Sequence, residues 1–226
     1  MRISEKLPRE TGRDYALRSL KANIISLDLA PGSRISENEL AAELGLSRTP
    51  VREALIDLSK VNIVEIHPQK KSTVSLIDYD LVEESRFLRN AVEPEVVALA
   101  CEKAVEDDIL KLKENLKLQN FYLENFNAER LLALDNAFHE TLFEIASKQQ
   151  IYSLIQNISI HFDRVRSLAL FSVNDLKIVG DHEKIVEAIS SKDASTAREI
   201  MKLHLNRYKV DAAQIREKYP QYLKST

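Results

Sequence analysis

The chain has 226 residues, enough for one large domain or two modest ones. An apolar content of 44% supports a hydrophobic core, and only four glycines and six prolines indicate long helices with few tight turns. One cysteine excludes an internal disulfide, and the apolar runs are too short for a transmembrane helix, so we expect a cytoplasmic protein. The net charge of −3 does not favour nucleic-acid binding overall, but residues 1–75 hold 12 Lys and Arg against 10 Asp and Glu. The remainder is acidic, which is a weak indication of two domains with different partners.

The N-terminal part of the chain predicts three helices followed by a hairpin. Residues 13–27 have a helical apolar face, which the sequence APGS then ends. The stretch SENELAAELG begins with Ser36 and has Glu39 three residues later, the pattern of a capping box. A third helix follows to about Lys60, and the segments IVEI and TVSL, on either side of a polar loop, predict two strands. Residues 1–76 are therefore expected to form a winged helix-turn-helix domain.

The third predicted helix begins at the cluster SRTP within the stretch LGLSRTPVREAL. Ser47 suits the N-cap, which places Pro50 in the first turn, where N–H groups have no intrahelical acceptor and proline costs little. Four polar side chains then lie where a recognition helix meets DNA, namely Ser47, Arg48, Thr49 and Arg52. Arginine suits this role because its guanidinium binds guanine or phosphate through paired hydrogen bonds. The spacing leaves a second interpretation open, a small helical domain with solvated arginines.

The segment LAPGSRISENELAAELGLSRTPVREAL resembles the DNA-binding domain of GntR-type bacterial transcription regulators. The family pattern PG-x-R, E-x-x-LA-x-x-LG-x-SR-T-PVREAL is matched over 27 residues. A glycine that is usual in the wing of this family is absent from PQKKSTV. The resemblance and the predicted wing tip imply DNA contacts at Arg34, Asn38, Ser47, Arg48, Thr49, Arg52, Lys70 and Lys71.

From Tyr79 onward the sequence predicts helices alone. The predicted spans are 79–103 (kinked or broken at Pro94), 106–126, 128–146, 150–171, 175–190 and 193–216. Residues 77–226 are therefore expected to form an all-α helical bundle that carries the effector site and the dimer contacts. The predicted fold class is mainly α, with a winged helix-turn-helix domain preceding this bundle.

A carboxylate and three imidazoles lie on the apolar faces of three predicted helices. Asp135 and His139 are four residues apart and share one helical face, while His182 and His204 lie on apolar stripes of later helices. Buried separately, each group carries a desolvation cost, which a shared divalent cation would reduce. Zinc is the expected metal, with nickel and manganese as alternatives, because these metals accept imidazole and carboxylate ligands. The spacing also allows each histidine to be a separately satisfied core or interface residue.

The helical half also resembles the ligand-binding FCD domain of the FadR-like branch of the GntR family. The segments that carry this resemblance are RNAVEPEVVALA, DNAFHETLFEIA and DHEKIVEAISSKDASTAREIMKLHL. Metal-binding members of the family have an aspartate and three histidines at this kind of spacing. The resemblance therefore implies that the metal ligands are Asp135, His139, His182 and His204.

Arg89 lies on an apolar stripe, and a buried guanidinium needs an anion. One interpretation is an internal ion pair with Glu93. The other is a clamp for a carboxylate effector beside the metal, as the matching R-x-x-x-E-P position in the family implies. Arg164 and His161, in NISIHFDRVRSL, are further candidates for the same cavity, although a structural role is the simpler interpretation for both.

These patterns predict a metabolite-responsive transcription regulator, expected to be a repressor, that binds an inverted-repeat operator as a homodimer. One helix-turn-helix reads a half-site, so a two-fold dimer increases affinity and specificity. A small organic acid bound by Arg89 and the metal would change the placement of the two winged domains. One alternative is a regulator with a purely structural metal and no effector. Another is a metal-dependent hydrolase, against which stands the lack of a general base that the sequence can nominate near the cluster.

Overall fold

The structure is a computed structural model that describes residues 1–67, 70–125, 127–170, 178–207 and 212–225. The chain begins with a winged helix-turn-helix region, as the sequence predicts. Its helices and strands are α1 (Gly12–Ile25), β1 (Arg34–Ile35), α2 (Glu37–Leu44), α3 (Arg48–Lys60), β2 (Val64–Glu65) and β3 (Ser72–Val74).

The wing is a three-stranded antiparallel sheet in the order β1-β3-β2. The central strand β3 pairs on both sides, with Thr73 opposite Arg34 in β1 and opposite Glu65 in β2. The sequence predicts the hairpin of β2 and β3 but not β1. Two residues are too few for an alternating apolar pattern to appear, so β1 is visible only in its pairing.

The core of the winged region forms where α1 packs against α3. Large apolar side chains from both helices are buried there, among them Tyr15, Leu20, Ile24, Val51, Leu55 and Leu58. Burial of each such side chain stabilises the fold by about 1.5–3 kcal/mol. This packing uses one face of α3 and leaves the opposite face, with Arg48 and Arg52, exposed to solvent.

The turn between α2 and α3 follows from local sequence. Gly45 has φ of +65°, a left-handed conformation that glycine adopts without strain, and the N–H of Leu46 donates to the carbonyl of Ala41 at 2.9 Å. Ser47 is extended and is the N-cap of α3, so Pro50 lies in the first turn. The predicted helix start at Ser47 is confirmed.

The predicted capping box at the start of α2 is wrong. Ser36 is the N-cap residue, but its side chain makes no capping hydrogen bond. The carboxylate of Glu39 instead accepts a hydrogen bond from Lys71 of the wing at 2.6 Å. Glu39 thus pairs with a residue that is distant in the chain rather than with the backbone of Ser36, and a rule based on nearby sequence does not anticipate such a contact.

The rest of the described chain is helical. Its elements are α4 (Tyr79–Lys103), α5 (Glu106–Glu124), α6 (Ala128–Ile145), α7 (Gln149–Ile158), α8 (Ile160–Leu170), α9 (Ile178–Ser190), α10 (Ala194–Asn206), α11 (Ala212–Lys218) and a 3₁₀ turn (Pro220–Tyr222). Helix α4 continues through Pro94, so of the kink or break predicted there the break does not occur. The helix predicted over 150–171 is two helices separated at Ser159. The one predicted over 193–216 ends at Asn206, and the ends predicted at 126, 171 and 175 lie outside the described residues.

Helix α4 lies at the centre of the bundle and packs against α6, α8, α9 and α10. The main apolar cluster includes Val97 of α4, Phe138 and Leu142 of α6, Ile185 of α9 and Met201 of α10. The polar residues described below are buried next to this cluster and are therefore held by well-packed helices. None of the described helices is long and apolar enough to cross a membrane.

Candidate DNA-binding surface and candidate metal centre

A groove of about 650 Å³ lies between α3 and the wing. Five residues predicted to contact DNA line it, namely Asn38, Arg48, Arg52, Lys70 and Lys71. The other three, Arg34, Ser47 and Thr49, are also exposed to solvent. The structure thus places all eight predicted DNA-contacting residues on the surface of the winged region, where base edges and phosphates are accessible to them.

Two of these cations form ion pairs with acidic residues of α2. Arg48 lies 3.1 Å from a carboxylate oxygen of Glu37, and Lys71 lies 2.6 Å from one of Glu39. Such exposed pairs are worth only about 0–1 kcal/mol, so a phosphate can replace the carboxylates at little cost. Arg52 forms no ion pair within the described part of the chain and projects into the groove. These two ion pairs are not evident from the sequence, because Glu37 and Glu39 lie 11 and 32 residues from their cations.

The four predicted metal ligands meet inside the helical bundle. Helix α6 carries Asp135 and His139 one turn apart, α9 carries His182, and α10 carries His204. One potential ligand atom from each lies within 4.8 Å of all the others, and all four residues are buried. Nε2 of His204 is 3.1 Å from Nε2 of His139 and 3.4 Å from Nε2 of His182. The aspartate completes the group, with Oδ1 of Asp135 3.6 Å from Nε2 of His182.

The outer ring nitrogens indicate how the protons are arranged. Nδ1 of His139 lies 2.6 Å from Oε2 of Glu93, and Nδ1 of His182 lies 2.9 Å from Oε1 of Gln119. The amide oxygen of Gln119 can only accept, so His182 donates from Nδ1 and has a lone pair on Nε2 that faces His204. A cation at the centre would bind every inward lone pair, and the outer acceptors would orient its ligands.

Charge and burial keep Asp135, His182 and His204 unprotonated at neutral pH. Burial lowers the pKa of His182 to about 3 and that of His204 well below its usual range. Burial alone would raise the pKa of Asp135, but Arg166 and the histidines lower it to about 2. Oδ1 of Asp135 is buried and accepts no hydrogen bond within the described chain. Neutral imidazoles and a carboxylate oxygen that lacks a partner fit a divalent metal.

Arg89 is buried beside this cluster, and its guanidinium forms an ion pair with Glu93. The internal ion pair considered in the sequence analysis is therefore present. Burial opposes ionisation of Glu93, but Arg89 and His139 hold the pKa of this carboxyl below its usual range. Arg89 also lines a cavity of about 100 Å³ together with His139 and Arg166. The ion pair and a contact with a ligand in this cavity are compatible with each other.

Arg166 is a site residue that the sequence analysis missed. Its buried guanidinium pairs with Asp135 and donates to Asp163 at 2.8 Å and to Asn136 at 2.7 Å. It thus connects a potential metal ligand to α8. The available signal was the pair Asp163 and Arg166, three residues apart and therefore on one side of a predicted helix.

The structure corrects the expectation that Arg164 and His161 line the same cavity as Arg89. Two residues along a helix turn a side chain through about 200°, so Arg164 points away from the direction that Arg166 takes. Arg164 donates to the carbonyl of Ser75, at the end of the wing. His161 accepts from the backbone N–H of Asp78 at 3.1 Å, and its Nε2 lies 3.1 Å from the carbonyl oxygen of Asn62. Helix α8 therefore contacts the winged region on one side and the cavity on the other.

The lowered pKa of His161 predicts that the free energy of unfolding decreases in mild acid. Burial, followed by the charge of Arg164, lowers its pKa to about 4, against about 6.5 in an unfolded chain. Above pH 6.5 the ring is neutral in both states, and as the pH falls toward 4 the unfolded state takes up a proton that the folded state does not. We expect His161 to cost about 2 kcal/mol of unfolding free energy between pH 7 and pH 5.

Urea unfolding of the protein and of His161→Gln at both pH values checks this expectation. The side-chain amide of the glutamine can retain both hydrogen bonds but does not titrate. The decrease in unfolding free energy from pH 7 to pH 5 should therefore be smaller in the variant by about 2 kcal/mol. The other buried histidines contribute equally to both proteins. An identical loss in the two proteins would contradict the assignment.

Two separate parts of the chain match two known protein families. Residues 14–74 match the family of bacterial regulatory proteins named gntR, and residues 84–207 match the FCD domain. The chain belongs to the GntR family. It is a DNA-binding transcription regulator, as the two resemblances predict, and the hydrolase alternative is set aside because the family consists of regulators rather than enzymes.

Two relatives match this GntR-family chain over nearly its whole length. An HTH-type transcriptional regulator in an unstable DNA locus of Streptomyces ambofaciens is 35% identical over 94% of this chain and 89% of its own. The HTH-type transcriptional repressor RspR of Escherichia coli is 30% identical over 93% of this chain and 92% of its own. Among solved structures, E. coli McbR/YncC has a TM-score of 0.80 at 23% identity, covering 92% of this chain and 99% of that one. This last likeness shows a shared fold.

Proposed function

We propose that this regulator is a repressor whose helical domain, residues 77–226, binds one divalent metal and a small carboxylate effector, and whose winged domain, residues 1–76, binds an operator. The observation that carries this proposal is the convergence of Asp135, His139, His182 and His204 next to a cavity that holds Arg89. Zinc is the proposed metal because it accepts a mixed imidazole and carboxylate set, and nickel and manganese are tested beside it. Because the partner is DNA, we place the protein in the cytoplasm.

The charges around the cavity support an anionic effector. Three carboxylates lie there, those of Glu93, Asp135 and Asp163, and they already pair with Arg89 and Arg166. A bound divalent metal makes this set of groups net positive. A carboxylate that enters the cavity would balance the excess and meet Arg89, whose planar guanidinium suits paired hydrogen bonds to such a group.

Helix α8 supports a route from the cavity to the winged domain. Its residue Arg166 pairs with the proposed ligand Asp135, while His161 and Arg164 on its other side contact Asn62, Asp78 and Ser75. A ligand that moves Arg166 would therefore change contacts at the end of the wing. Such a shift alters DNA binding only if the effector has different affinities for the two arrangements.

Repression and dimerisation are proposed from the relatives and from geometry. RspR is named a repressor, and a 28% identical relative from Bacillus subtilis is named a gluconate operon transcriptional repressor. A single α3 spans only a half-site, so we infer a homodimer on an inverted repeat.

Arg89→Lys tests the effector site. Lysine keeps the charge that faces Glu93 but loses the planar fork, so we expect the affinity for small carboxylates to fall roughly 10- to 100-fold while metal content is unchanged. The measurement is a thermal-shift titration of zinc-loaded protein without a histidine tag, using short organic acids and repeated in EDTA. Stabilisation by an acid should require the metal.

The same titration separates the proposal from a regulator with a purely structural metal. In that alternative, zinc stabilises the protein but none of the acids adds to the effect or changes operator binding. That result would reject the effector while leaving the metal in place.

A further inference from the structure

Two residues of the winged domain form part of the wall of the cavity beside the proposed metal site. Helices α4, α6, α7 and α8 supply most of its wall, including Arg89, His139 and Arg166. The remaining side is formed by α1, which contributes Lys21 and Ile25. A ligand in this space would therefore lie against both domains at once.

Lys21 has an incompletely paired ammonium group at this wall. Within the described chain, its Nζ makes one long hydrogen bond, 3.4 Å to the carbonyl oxygen of Gln156, and no carboxylate is close enough for an ion pair. Burial lowers its pKa, and Asp163 only partly opposes that effect. By contrast, Lys103 and Lys192 reach backbone carbonyls at 3.0 and 2.7 Å. Lys21 thus has donors available on the side of the cavity.

The nearby carboxylate of Asp163 does not serve as the acceptor for Lys21, because it already accepts a hydrogen bond from Arg166 at 2.8 Å. A half-buried ammonium with donors to spare gains most from an oxygen that enters the cavity with a ligand. The cavity volume of about 100 Å³ limits the size of that ligand. An enclosed cavity of about 150 Å³ accepts benzene, so this one, which is smaller but partly open to solvent, suits an acid of roughly four to six non-hydrogen atoms.

We propose that Lys21 contacts the effector directly, selects short carboxylic acids that carry a further oxygen outside the carboxylate, and makes the winged domain part of the effector site. The inference rests on the proposed function, in which Arg89 and the metal hold the carboxylate. The further oxygen, of a hydroxyl or a carbonyl group, then accepts a hydrogen bond from Lys21. Because Lys21 lies on α1, which packs against α3, the ligand contacts a helix that supports the DNA-reading helix.

The test compares matched acids on the full-length zinc-loaded protein. Acetate and propionate lack the hydroxyl group that glycolate and lactate carry, and calorimetric titration measures the dissociation constant of each. We expect the two hydroxy acids to bind about tenfold more tightly or better, the range of a charge-assisted hydrogen bond. In Lys21→Met this preference should disappear, while the affinity for propionate should stay within about twofold.

The effect of the effector on operator affinity is a second measurement. It should not depend on Lys21 if this residue has a purely structural role. The change in operator affinity caused by saturating lactate should fall about fivefold or more in Lys21→Met and persist in Lys21→Arg. Lys117→Met, at an exposed position of α5, is the control and should behave like the unaltered protein.

The outcomes distinguish this inference from the function on which it rests. If zinc-loaded unaltered protein binds none of the acids, the proposed effector function fails, and the role of Lys21 fails with it. If that protein binds the acids but shows no preference for the hydroxy acids, the inference alone is overturned. The same holds if Lys21→Met retains both the preference and the operator response.

Discussion

Arg52→Ala is expected to weaken operator binding by about 30-fold or more, with most of the loss in sequence preference. A paired arginine contact to a base is worth about 1–3 kcal/mol, and a dimer makes the contact in both half-sites. Arg52 projects into the groove beside the wing and forms no ion pair within the described chain, so it reaches DNA without first leaving a partner. Arg48 must first break its ion pair with Glu37 to bind DNA. The loss of operator affinity in Arg48→Ala should therefore be smaller than in Arg52→Ala, by the free energy of that exposed pair, about 0–1 kcal/mol.

Fluorescence anisotropy with the promoter region beside its own gene, and with a scrambled duplex of equal length, measures the effect. Lys60→Ala is the matched control because Lys60 ends the same helix but does not line the groove. Lys70→Ala should instead weaken both duplexes alike and reduce the salt dependence, as expected of a phosphate contact. Unchanged preference in both Arg48→Ala and Arg52→Ala would reject α3 as the reading helix.

His204→Gln is expected to abolish metal binding and the thermal stabilisation that metal brings. Nε2 of His204 is the atom nearest to both other imidazoles, so this substitution removes the centre of the cluster. A metal present at 100 to 1,000 times its dissociation constant stabilises a fold by about 2.7–4.1 kcal/mol, which for a chain of this length raises Tm by roughly 5–15 °C. We expect about that shift in the unaltered protein and none in the variant.

Elemental analysis of protein purified without a histidine tag should find about one transition metal per chain, and none in His204→Gln. His161→Gln is the control, since it also removes a buried histidine but lies outside the cluster. It should keep its metal and the stabilisation. Absence of metal from the unaltered protein after supplementation with zinc, nickel or manganese at neutral pH would overturn the site.

Local sequence rules predicted the start of α3, the proposed recognition helix, correctly. Ser47 and Pro50 have conformational preferences that act within a few residues, and α3 begins where those preferences indicate. Helical periodicity likewise placed Asp135, His139, His182 and His204 on apolar faces, and those faces are buried. Each of these predictions depends on residues that are close together in the chain.

Rules of the same kind failed where a distant partner intervened. Glu39 pairs with Lys71 of the wing rather than capping α2, and β1 exists only because β3 lies beside it. For Arg164 and Arg166 the difficulty was different. Periodicity shows that the two side chains diverge, but it does not show which one faces the cavity.

The amino-acid order therefore specifies the helix starts, the buried stripes and the ligand types, because these depend on interactions over a few residues. The side chains that surround the proposed ligands are set by tertiary packing instead. Glu93, Gln119 and Asp181 come from three different helices, and they lie near His139, His182 and His204 only after those helices pack. The position of Lys21 at the cavity likewise depends on how the winged domain meets the bundle. Such contacts join residues more than 20 positions apart, and their geometry is set by the packing of the whole chain.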